Sequence, residues 1–175
     1  MALSRLCGAA CAAVLLAGPA LAETGAECLL TMARAETETR IAFENGLVEI
    51  VADVAPDHAA LAGRSRDLQV LLAQDRLDRV AYLTVAHPEA FADEAGGVPW
   101  SDADEEGYMA EPVHAARMER IAALGEALEA DPSRAELQEV FAKVVTRLFE
   151  FQKLMADHNA ARRDAAAAFT ACRGG

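Results

Sequence analysis

Apolar residues recur three and four positions apart along most of the chain, the spacing that lines one face of an α-helix. The clearest run starts at Leu137 and continues through Phe141, Val144, Leu148, Phe151, Met155, His158, Arg162, Ala165, Phe169 and Cys172. It predicts one continuous final helix with a heptad seam. Asp131-Pro132 supplies a start signal, and Ser133 with Glu136 has the spacing of a capping box. Three earlier helices follow from the same pattern. The first spans about residues 26–54. The second opens at Pro56-Asp57 and ends near His87-Pro88. The third begins after Glu111-Pro112 and ends near Ala130.

One segment is ambiguous. Asn45-Gly46 is a strong two-residue hairpin signal, and pairing about it sets Phe43 against Val48 and Ile41 against Ile50. Residues 37–54 therefore read either as helix or as β-hairpin. Helix is the reading adopted, because the long seam of the last helix needs a partner of matching length. The predicted fold is all-α: an elongated antiparallel bundle of about four helices. A long acidic crossover loop, residues 88–110, joins the second and third.

The first 22 residues have a different pattern. Arg5 precedes an apolar run from Leu6 to Ala17, Gly18-Pro19 breaks it, and Ala20-Leu21-Ala22 is a small-x-small cleavage site. That is the pattern of a secretory signal peptide, so residues 23–175 are expected to form a single helical domain in the periplasm or outside the cell. The leader carries one Arg and no acid, so its removal takes the formal charge from −12 to −13. Such a chain is a poor candidate for nucleic acid or an anionic membrane, and no later apolar run has the length of a membrane span. Cys7 and Cys11 leave with the leader. Cys28 and Cys172 remain, one near each end, and an oxidising compartment favours a disulfide joining them.

That bridge sets a register. With the first and last helices antiparallel, Arg40 stands level with about residue 160. Glu36 and Arg40 interrupt the first stripe, and His158 and Arg162 interrupt the last. Asp75 of the second helix falls at a similar height. Glu36, Arg40, Asp75, His158 and Arg162 are thus expected to converge inside the bundle. Two readings stand for them: a site for an anionic ligand, with arginine forking onto a carboxylate or phosphate, or a self-neutralised ion-pair layer that fixes register. In the same register the third helix lies beside the first half of the last one. The chain must then travel back roughly 35 Å between His87 and Glu111. Phe91, Val98, Trp100, Tyr108 and Met109 would fill the groove left empty.

The loop itself is a second candidate. Trp100, Asp102, Asp104, Glu105 and Glu106 suit a partner-docking surface. Asp102-x-Asp104-x-Glu106-Gly107 also resembles the start of a calcium loop, but the twelfth position is Val113 rather than Glu. A third candidate is a His/Met metal site. His114 and Met118 lie one turn apart, and the register brings His58 to nearly their height. Ordinary core packing competes with that reading. Haem attachment, di-iron ligation, a nucleophile elbow and a phosphate loop all lack their motifs. No cofactor is expected. The leading expectation is a non-enzymatic protein of the bacterial envelope that binds another envelope protein. The alternative is a small-ligand or metal binder using the polar cluster.

Overall fold

The computed structural model describes the backbone of residues 25–87 and 100–173, and side chains from 26 to 87 and from 100 to 168. The leader, Phe91 and Val98 lie outside these residues, and so does the Cys172 side chain of the expected bridge. Among the described residues the chain is all-α, with six helices and no strand. None of them is long and apolar enough to cross a membrane.

Helix α1 (Gly25–Val54) runs unbroken through Asn45-Gly46, which decides the ambiguous segment in favour of helix. The glycine serves packing instead of a turn. A Cβ on Gly46 would stand 2.9 Å from Leu154 Cδ1, so its absence lets the last helix approach α1. Pro56 starts a single 3-10 turn, Pro56–His58, where its missing N–H and fixed φ are harmless. Helix α2 (Ala59–Ala86) then returns antiparallel to α1. Arg76 pairs with Glu36, and Arg40 donates to Gln69 Oε1 at 2.8 Å.

The segment read as loop contains a helix. Helix α3 (Asp102–Met109) is launched by a complete capping box: Ser101 Oγ accepts from the Asp104 N–H, and the Ser101 N–H donates to Asp104 Oδ2 at 2.9 Å. Helix α4 (Pro112–Glu129) follows after a short turn, with proline in its first turn. Both fold back onto α2. Asp104 reaches His87 and Glu105 reaches Arg79. Arg117 pairs with Asp78, and Asp131 just beyond α4 pairs with Arg64. The return path is therefore helical and descends along α2. The expected crossover is replaced because α4 takes α2 as its partner, where the sequence reading had set it beside the last helix.

The final seam is also divided. Helix α5 (Arg134–Lys143), a 3-10 turn at Val145–Arg147 and helix α6 (Phe149–Arg173) replace the one long helix. Ser133 makes no capping bond with its side chain. Asp131 acts there, its Oδ1 accepting the Ser133 N–H at 2.9 Å. The break falls on Val144-Val145-Thr146, a β-branched run that is stiff at χ1 and weak in helix. Thr146 turns its hydroxyl onto the Ala142 carbonyl, and Leu148 adopts an extended ψ of 142°.

The corner makes the main apolar core. Val145 is fully buried against Val51 and Ala62, and Phe141 of α5 meets Phe151 of α6 edge to face at 5.4 Å. From there α6 ascends antiparallel to α1, with Phe43 against the His158 ring at 4.4 Å. The bundle is thus built on two long helices, with α6 packed on α1 and α3 and α4 packed on α2.

Candidate functional site: an arginine-lined groove

A groove of about 720 Å³ opens along the seam of α1 and α2, flanked by α6 and by Trp100. Its two ends differ. At the N-terminal end of α1 the lining is Leu29 and Ala33, with Val80, Leu83, Trp100 and the Arg79 side chain, paired to Asp75 and Glu105, across from them. Farther along, Glu36 and Arg40 face Gln69 and Arg76, and α6 contributes His158 and Arg162. Antiparallel packing produces this segregation. It puts the polar interruptions of three helices at one height and the leucine and valine turns at another.

Four of the five residues expected to converge thus line one space: Glu36, Arg40, His158 and Arg162. They form no buried neutral layer. Arg40 turns along its own helix to Glu44 at 2.8 Å and across to Gln69. Glu36 faces Arg76 at 3.7 Å, and both side chains are well exposed. Arg162 is exposed. Among the described residues it forms neither a salt bridge nor a hydrogen bond. The Nδ1 of His158 is buried without a hydrogen-bond partner. Burial, then Arg162 and Arg40, push the His158 pKa below its usual value, and the nearby Thr39 backbone and Glu36 do not outweigh them. The ring is neutral at pH 7. Glu44, itself buried, has its pKa raised by desolvation, which Arg40 opposes.

Asp75, the fifth expected residue, lies on another face of α2. Its Oδ2 accepts from Arg79 Nε at 2.7 Å, and its Oδ1 accepts from the Tyr108 hydroxyl at 2.9 Å. Around them stands a closed aromatic cluster. The Arg79 guanidinium lies 4.6 Å from the Trp100 ring centre and 4.7 Å from that of Tyr108, within cation–π range. Tyr82 meets both rings edge to face, and His114 stacks on Tyr108 at 3.8 Å. Glu105 accepts from Arg79 and from Trp100 Nε1. These bonds hold the Glu105 carboxyl below its usual pKa, while burial and then Asp75 push the Tyr108 phenol upward. Gly107 is required at this contact, since a Cβ there would lie 2.3 Å from the Tyr82 hydroxyl.

The cluster takes up most of the residues expected to meet a partner. Trp100 and Glu105 are bonded to each other, and Asp104 is buried between Ser101 and His87. The Ser101 bonds, ahead of His87, lower its pKa. Asp102 and Glu106 remain exposed. The resemblance to a calcium loop does not survive this geometry, because Asp102, Asp104 and Glu106 sit on a helix and Asp104 is committed to its cap.

The metal candidates separate as well. His114 faces Asp78 at 3.9 Å and packs on Tyr108. His58 sits in the turn before α2, twenty residues from Asp78, or roughly 30 Å along the helix. Met118 is half-buried on α4. Among the described residues no three His, Cys, Asp or Glu side chains gather as a metal site.

Sequence reasoning missed Arg76 and Gln69, which only the α1–α2 register brings to the groove, and it missed Arg79 as the centre of the aromatic cluster. The signal was Asp75 followed four residues later by Arg79, a spacing that pairs side chains on one helix face. In comparisons with known proteins, no family, curated protein or solved structure matches the chain.

Proposed function

We propose that the protein is an exported, non-enzymatic binding protein of the bacterial envelope, and that the groove between α1, α2 and α6 is its working element. The observation that carries this reading is the groove itself: about 720 Å³ of space with an apolar floor, an arginine, Arg162, that pairs with no acid among the described residues and a histidine nitrogen without a partner there. The leader at residues 1–22 and a bridge between Cys28 and Cys172 belong to the same proposal. A disulfide there would tie the start of α1 to the end of α6, the two helices that carry Arg40 and Arg162. Docking of an envelope partner through the acidic segment ranks second, because Asp102 and Glu106 are the residues left exposed there while Trp100, Asp104 and Glu105 are held within the chain.

Native mass spectrometry of the protein purified from the envelope fraction tests the reading. A small molecule retained without covalent attachment is expected. It should be lost from Ala33→Trp, which fills the groove and leaves the helical circular-dichroism spectrum unchanged. Preparations that never carry such a molecule, together with no thermal stabilisation by any member of a broad metabolite panel, would overturn it.

A further inference from the structure

We propose that the groove takes a single-tailed amphiphile with an anionic head, in the manner of a fatty-acid monocarboxylate. This rests on the reading of the groove as a binding site and assigns its ligand class. The head would lie between Arg76, Arg162 and His158, and the tail would run toward Leu29, Leu83 and Trp100.

Four observations converge on that assignment. The unpaired charges are segregated along the lining, since Arg79 at the apolar end is taken up by Asp75 and Glu105, as a ligand with one charged and one apolar end requires. From Leu29 to Arg40 along α1 the rise is about 16 Å, the scale of an extended alkyl chain of medium length. The charge is the reverse of the molecule's: the polar end brings Arg40, Arg76 and Arg162 together against Glu36, in a chain whose formal net charge is −12. That reversal favours an anion and disfavours the acidic faces of other copies of this chain.

The last observation separates a ligand site from an ion-pair layer. Among the described residues no acid pairs with Arg162, and Arg76 holds Glu36 only at 3.7 Å with both side chains exposed. Both guanidinium groups can turn to an incoming carboxylate without giving up a buried bond. Arg40 differs, since Glu44 and Gln69 fix it. It contributes field at the site and no free donor fork. The groove is open along one side, so the head keeps part of its hydration and the arginines need not be stripped of water before binding.

Trp100 is the only tryptophan of the chain and lines the apolar end, so the protein carries its own reporter. The test is a fluorescence titration of the purified chain with dodecanoate below its micelle concentration, with far-UV circular dichroism recorded throughout. Dodecanol, dodecyl sulfate and dodecyltrimethylammonium serve as comparison ligands. A saturable change with one dodecanoate per chain and an unchanged helical spectrum is expected. Dodecanol and the cationic amphiphile should bind at least about tenfold more weakly, equivalent to about 1.4 kcal/mol. Dodecyl sulfate binding as well as dodecanoate would show that the head is read by charge, and preferential dodecanoate binding that it is read as a carboxylate. Both results uphold the proposal.

Arg162→Glu should weaken dodecanoate by about tenfold or more and narrow the preference over the cationic amphiphile. Arg162 is exposed, so this variant keeps the fold. Arg76→Gln gives an independent second reading of the same effect. Equal binding of the anionic and cationic amphiphiles, or indifference to both substitutions, would overturn the proposal. So would a ligand-free dimer that buries Trp100. If dodecanoate fails while a molecule of another class is retained by the native protein and lost from Ala33→Trp, the ligand assignment falls and the groove remains a binding site.

Discussion

Two arginine centres lie within one turn of each other on α2, Arg79 in one and Arg76 with Arg162 of α6 in the other, and they differ in saturation. Arg79 is enclosed. Two carboxylates and two aromatic faces take up its charge, and its pKa is raised chiefly through the bond to Glu105. The centre at Arg76 and Arg162 has the same residue type and a similar helical setting, but among the described residues Arg76 meets only Glu36, at 3.7 Å, and Arg162 meets no acid. The first centre joins α2 to α3, and where Arg79 lines the groove its charge is already paired. The second links α2 to α1 only through the exposed Arg76–Glu36 pair, and its side chains line a cavity. A count of charged residues cannot tell these apart. What separates a structural arginine from one available for recognition is whether its donors are already satisfied.

The largest way to break this contrast is Arg79→Ala. It leaves Asp75, 8% exposed, without its cation and strips a cover from Trp100 and Tyr108. A loss of about 3 kcal/mol is expected in urea unfolding at neutral pH, a figure that already discounts the partial exposure of Arg79. A loss below about 1 kcal/mol would remove the aromatic cluster from the structural role given to it.

The two packing glycines sharpen the comparison next. Gly107→Ala forces a Cβ against the hydroxyl of a Tyr82 side chain wedged between two rings, and should cost about 1–2 kcal/mol. Gly46→Ala meets the flexible end of Leu154 instead. There the gain in helix propensity, about 1 kcal/mol, offsets the contact and the net change is near zero. Reversal of that order in thermal unfolding would mean that the α3–α2 contact is looser than described.

His158 gives the groove a pH signature. Its folded-state pKa lies below the unfolded value, so the unfolded chain binds the proton first as pH falls. Stability is therefore fully present above about pH 6.5 and declines below it, an effect that His158→Gln should remove. Chemical unfolding of both proteins between pH 5 and 7.5 checks this, and identical pH slopes would refute it. The smallest effect is expected at Arg162→Ala, within about 0.5 kcal/mol of the parent, because the side chain is exposed and bonds to none of the described residues. A loss of several kcal/mol there would turn the open centre into a structural one.

The α1 and α6 pairing was legible because the last apolar seam needs a long partner, and the expected Cys28–Cys172 bridge sets the register between the two. Phe43 against His158 and Gly46 against Leu154 fall where that register puts them. The convergence of Glu36, Arg40, His158 and Arg162 follows from the same argument. Asp75 escaped it because height along an axis says nothing of azimuth. It sits level with the groove and points to Tyr108.

The corner at Val144–Leu148 escaped for a related reason. Leu137, Phe141 and Phe151 keep heptad spacing whether one helix carries them or two pack on a common core, and neither proline nor glycine marks the bend. Helix α3 was hidden by its acids. Ser101 and Asp104 form a capping box, but eight residues rich in Asp and Glu have no stripe of their own and become helical by docking Tyr108 under α2.

By itself, then, the sequence determined the helical class, the positions where most helices begin, and the height at which polar residues would meet, because local propensity and periodicity act within one element or one matched pair. Tertiary structure decided which helix α4 would choose, where the last seam would bend, and which arginines would be satisfied. Those outcomes depend on contacts between residues distant in sequence, and their free energies exist only once the surfaces have met.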